Sequence, residues 1–189
     1  MAAALLAAGC APTALVHEWK SPGYTGGPFD RVLVLAASTD PDARRVYEDA
    51  FVQELAAMGV TAIAAHAVIE GQGEVSEQQM LEAVGEVRAN AVLVTRMLGR
   101  QRKTALYSPA PLRDGEAAEL YSVYAAGMAT PPEPDAYALY TLETSLWNAK
   151  DESLVGLNTS QNFQAAKTLP AAKELADLAV KALRQQRLL

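Results

Sequence analysis

The chain contains one cysteine and two histidines in 189 residues. A single cysteine excludes an internal disulfide and a cysteine-rich zinc site. His17 and His66 are far apart and have no neighbouring ligand set, so no metal site is expected. There is no apolar run of about 18 residues or more, so no transmembrane helix is expected. Basic residues are outnumbered, with Lys and Arg at 16 against 22 for Asp and Glu, a net charge of −6. That balance excludes a general nucleic-acid binder and adhesion to anionic lipid by overall charge. No Gly-x-Ser-x-Gly elbow and no phosphate-binding P-loop occurs. Gly71-Gln72-Gly73 lies between Glu70 and Glu74 and reads as a loop. No cofactor is expected and no catalytic residue stands out.

What is present is organised around residues 29–65. Val32 to Ala37 is a continuous apolar run, which suits a strand buried on both faces of a parallel sheet. Asp40 is placed to cap a helix and Pro41 to begin it. Ala43, Val46, Tyr47, Ala50, Phe51, Leu55 and Met58 form its apolar stripe. Arg44 with Glu48, and Arg45 with Asp49, are i,i+4 pairs expected on the solvent side. Gly59 is placed to end the helix in a left-handed conformation. A second strand begins at Val60. The turn at Ser38-Thr39 lacks the glycines of a dinucleotide site, and the Asp40 charge would repel a phosphate there.

Ser76 and Gln79 form a capping box for a second helix, and Asn90 can end it. Ala91 to Leu98 reads as a third strand, followed by the basic residues Arg100, Arg102 and Lys103. Residues 104–136 carry five prolines and three tyrosines without a clear period, and read as an insertion outside the core. Residues 137–147 alternate as a half-exposed strand, with Glu143 outward. Asn148 to Glu152 is a turn, and a return strand places Asn158, Ser160 and Asn162 outward. A final helix runs from Leu169. The fold class is α/β, bordering on α+β. It is a mixed sheet of about five strands in the order β-α-β-α-β, then an antiparallel hairpin and a C-terminal helix.

The cysteine lies in Leu6-Ala7-Ala8-Gly9-Cys10, which resembles the lipobox of bacterial lipoproteins. The resemblance implies a truncated signal peptide over 1–9, acylation of Cys10, and the outer membrane as destination, because Ala11 is not the Asp of inner-membrane retention. Residues 10–28 then read as a lipidated tether, and 29–189 as a single α/β domain. Trp19, followed by Pro22-Gly23-Tyr24-Thr25-Gly26 and Phe29-Asp30-Arg31-Val32, resembles a family of uncharacterised proteobacterial envelope lipoproteins. Arg45, Glu48 and the run Ala91 to Arg96 fit it. The pattern is similar to the N-terminal region of TolB and to CsgG-like lipoproteins. The resemblance implies a non-enzymatic, lipid-anchored module on the periplasmic face, bound to the membrane by lipid and to a protein partner. Trp19, Tyr24, Tyr107, Tyr121 and Tyr124 are the candidate contact residues, since tyrosine and tryptophan favour interfaces. The rival readings are a periplasmic small-ligand binder or hydrolase, and an oligomeric CsgG-like secretion component.

Overall fold

A computed structural model describes residues 13–71, 73–102, 105–107, 120–128, 139–162 and 169–189. Part of the expected tether is a strand. Ala14–Lys20 forms β1 and pairs antiparallel with a later strand, with Trp19 opposite Leu157. Its register shifts between Leu15 and His17, which breaks the two-residue alternation a reader of the sequence would look for. Only Leu15, Trp19 and Lys20 are half-buried, and the rest of β1 is exposed.

The central unit follows as its residues dictate. Arg31–Ala37 is β2, and Val32 to Leu35 are fully buried. Asp40 caps helix α1, Pro41–Ala57, by accepting from the N–H groups of Asp42 and Ala43. Gly59 follows with φ +83°, a conformation glycine adopts without strain. Thr61–Ala64 is β3, succeeded by one 3₁₀ turn at Ala65–Ala67. Ser76 and Gln79 make the capping box of α2, Glu77–Val87, which ends on Arg88 in the left-handed region. Asn90 joins the strand starts instead. Its side chain accepts from Arg31 N and donates to Asp30 Oδ1.

Ala91–Arg102 is β4 and Ala105–Tyr107 is β5, which pairs with its end. Leu120–Met128 is α3. Leu139–Asn148 (β6) and Leu154–Asn162 (β7) form the hairpin, and Leu169–Gln185 is α4. Among the described residues the sheet has seven strands in the order β1-β7-β6-β4-β2-β3, with β5 on β4. Strands β2, β3 and β4 are parallel and the other pairings antiparallel. The count exceeds the expected five because β1 and β5 carry no apolar period of their own.

Helices cover both faces. Helices α1 and α4 pack on Val32, Val34, Leu93, Leu142 and Leu146. Helices α2 and α3 pack on Leu33, Leu35, Val92, Val94 and Trp147. Each large apolar side chain so buried stabilises the fold by about 1.5–3 kcal/mol. Two expectations are corrected here. The 104–136 insertion does join the core, through Leu120, Val123, Tyr124 and Met128. The hairpin is buried on both sides, so Glu143, Asn158, Ser160 and Asn162 do not face solvent. Helix α4 covers that face of β7, and Asn158 Nδ2 donates to Ala179 O at 3.3 Å.

Candidate functional site

Two polar features stand at opposite ends of the parallel strands. The first lies at their carboxyl ends, where open α/β sheets offer a crevice. Glu48 on α1 is fully buried and is the centre of this cluster. Its Oε1 accepts from Ala36 N at 3.1 Å and from Arg44 Nε at 3.0 Å. Its Oε2 accepts from His66 N and from the His66 ring, both at 2.7 Å. The cluster thus ties α1 to the end of β2 and to the 3₁₀ turn. Arg44 and Glu48 do not lie on the solvent side as expected. The helix row 44, 48, 51 and 55 turns them into the sheet with Phe51 and Leu55. Arg44 Nη2 is buried with no hydrogen-bond partner among the described residues.

The hydrogen bond to Glu48 raises the His66 pKa above its ordinary value. Burial works against that shift, while the charges of Glu48 and Asp49 support it and Arg45 opposes it. Beside this cluster, Arg96 on β4 meets Glu143 on β6 directly across the ladder, Nε to Oε1 at 2.7 Å. Both are buried, and α3 roofs them. A Cβ on Gly127 would stand 2.5 Å from Ala37 Cβ and 2.9 Å from Arg96 Cβ. These groups are engaged with one another, an arrangement that positions elements against each other. The described residues bring no group of three His, Cys, Asp or Glu together for a metal ion.

The second feature is an open groove of about 440 Å³ at the amino ends of the strands. Tyr24, Pro28, Phe29, Asn90, Asn148 and Lys150 are among its lining residues. Tyr24 stacks on Phe29 with ring centroids 5.4 Å apart, and its hydroxyl donates to Gly27 O at 2.7 Å. Position 26 requires glycine for this, since a Cβ there would stand 2.5 Å from the Tyr24 hydroxyl oxygen. Burial, and then the Asp151 charge, push the Tyr24 pKa up, so the phenol stays a donor. Asp151 itself is held below its usual range by hydrogen bonds from Ser153. The volume and the mix of aromatic and amide groups fit a small ligand or an inserted side chain.

The aromatic candidates do not converge. Tyr24 lines the groove, while Trp19 is half-buried against the α2–α3 side of the sheet. Tyr121 and Tyr124 lie on α3 with centroids 6.3 Å apart. Tyr124 is fully buried, and its hydroxyl accepts from Val75 N at 3.1 Å, so it belongs to the core and not to a surface. Tyr121 is half-buried and its hydroxyl lies 3.5 Å from Glu74 Oε1. Tyr107 sits on β5 opposite Arg100. Cys10 lies outside the described residues. The residues that sequence reasoning missed are His66, which meets Glu48 only once α1 packs on the turn after β3, and Arg96 and Glu143, which meet through the β4–β6 register.

No protein-family model matches the chain, and no curated protein matches it. Among solved structures, the PelC dodecamer from Paraburkholderia phytofirmans aligns with 90% of this chain and 96% of its own, at 12% identity and TM-score 0.50. Lipoprotein GNA1162 from Neisseria meningitidis aligns more loosely, over 83% of this chain and 95% of its own, at 11% identity and TM-score 0.42. The likeness to the PelC subunit is one of fold.

Proposed function

We propose that this chain is a non-enzymatic, lipid-anchored envelope protein whose domain assembles with copies of itself or with a protein partner. The observation that carries the assembly reading is the state of the sheet edges. Among the described residues, β1 has no strand on its outer side, and neither has β3. An unpaired edge presents a row of N–H and C=O groups that can template another strand. The occurrence of a similar fold in a dodecamer supports this reading. The string Leu6 to Cys10 supports the anchor and an outer-membrane, periplasm-facing location. The kinship with TolB and CsgG-like lipoproteins belongs to the same proposal. The test is extraction of the full chain from membranes, followed by light scattering. A multiple of the mass of the lipidated protomer is the expected result, with Cys10→Ala released from the membrane fraction. A monomer that co-purifies with nothing overturns the assembly reading, and a Cys10→Ala variant that stays membrane-bound overturns the anchor.

The groove beneath Tyr24 favours a second reading, a small-ligand binder. Lys150→Glu at its rim would then change ligand affinity and leave the oligomer intact.

A further inference from the structure

Cys10 precedes β1 by only four residues, because the strand starts at Ala14. Four residues of chain reach at most about 14 Å in any conformation. In place of the tether expected over residues 10–28, a short link ends in the sheet itself.

The sheet register says what shares the level of Ala14. Ala14 lies opposite Gln161, Gln161 opposite Thr141, and Thr141 opposite Gly99. The same end carries the start of α4, since Thr13 Oγ1 donates to Glu174 Oε2 at 2.8 Å. Arg100 and Arg102 stand one and three positions beyond Gly99 along β4, roughly 3 and 10 Å further out. Val16 and Leu169, two of the three exposed large apolar residues among those described, lie toward this end, at 52% and 48% exposure. The chain is acidic overall, yet this end carries the β4 positions of two arginines together with the exposed side chains of Val16 and Leu169, residue types suited to headgroups and acyl chains.

The opposite end is set by equally firm contacts. Lys20, at the far end of β1, is about 20 Å from Ala14 along the strand. Its Nζ donates to Gln186 O at 2.6 Å. Phe29 N donates to Leu188 O, so the end of the chain and the Tyr24 groove lie together there.

We infer that the end of the sheet defined by Ala14, Gln161, Gly99 and the start of α4 rests against phospholipid headgroups, and that the Tyr24–Lys150 groove points away from the membrane. This rests on the anchor reading above. The short link limits how far the domain can tumble, and the exposed Val16 and Leu169 favour one face of approach.

The test uses the full lipidated chain in vesicles of phosphatidylethanolamine and phosphatidylglycerol with a nitroxide-headgroup lipid. Acylation occupies the Cys10 thiol, so Leu169→Cys or Lys150→Cys supplies one labelling site for a fluorophore. Quenching at position 169 is expected to be several-fold stronger than at 150. A flexible Gly/Ser insert of about twenty residues between Ala11 and Pro12 is expected to reduce that difference. Equal quenching at the two positions, or stronger quenching at 150, overturns the orientation. Failure of the anchor is separable, because the mass of the N-terminal peptide shows whether acyl chains are present. If they are absent, the wild-type chain is coupled through Cys10 to a maleimide lipid and followed by hydrogen exchange. Protection of 169–173 with 148–153 unchanged supports the orientation, and the reverse pattern or no protection at either overturns it.

Discussion

Glu48 and His66 face each other between α1 and the turn after β3, with Oε2 and Nδ1 2.7 Å apart. The same carboxylate also takes the N–H of Ala36 at the end of β2. One buried side chain therefore joins three elements at the carboxyl end of the sheet. Glu48→Ala leaves Arg44 buried without its partner and strands two backbone N–H groups. Removing one member of a buried ion pair costs about 3–5 kcal/mol. Denaturant titration is expected to show a loss of that order, and a loss below 1 kcal/mol would contradict the role assigned to Glu48.

The pair also makes stability depend on pH. His66 has a folded pKa raised above the ordinary 6.5, chiefly by the hydrogen bond to Glu48. A raised folded pKa means protonation favours the fold. Its contribution is complete below about 6.5 and is lost as pH climbs through the higher folded value. The melting temperature of the wild type is expected to fall across that interval more than that of His66→Gln. Parallel profiles for the two proteins would rule this out.

Arg96 and Glu143 form the second buried pair, held in direct cross-strand register. Arg96→Leu alone leaves a buried carboxylate facing an apolar side chain, at a cost of about 3–5 kcal/mol. Arg96→Leu combined with Glu143→Leu is expected to be more stable than Arg96→Leu alone. A double variant that loses the sum of the two single losses would show that the residues are not coupled.

Gly127 lets α3 approach the sheet. A methyl group there meets Ala37 and Arg96 well inside contact distance. Gly127→Ala is expected to destabilise by about 1–3 kcal/mol through overpacking, despite the better helix propensity of alanine. An unchanged or higher melting temperature would mean that α3 does not pack as described.

The parallel core was readable because its signals are local. A solid apolar run, an Asp-Pro start and a glycine stop specify β2 and α1 without help from distant chain. The capping box at Ser76 and Gln79 did the same for α2. The polar centres were not readable in that way. Arg44 and Glu48 have the spacing of an ordinary surface pair, and only the row they share with Phe51 and Leu55 reveals that they turn inward. Arg96 and Glu143 are 47 residues apart, and their meeting depends on the β4–β6 register. The outer residues of the hairpin looked wet because polar side chains alternate there. Helix α4 covers those of β7 while α3 covers Glu143, and the many alanines of α4 give no hint of which polar groups lie below. Strand β1 hid behind its bulge and its exposed face. Helix α3 hid between proline-rich stretches, where nine residues make too short a window for a period.

The antiparallel pairing of β1 with β7 sets an order on biogenesis. Ala14 meets Gln161 across most of the chain, so the first strand made waits for the seventh. A polypeptide synthesised from its amino terminus emerges with β1 unpartnered, and pairings this distant in sequence form slowly. The sheet cannot close until the hairpin has also been made. Until then the unclosed edge is exposed to aggregation, and a holding chaperone or rapid delivery of the remaining chain would decide the yield of folded protein.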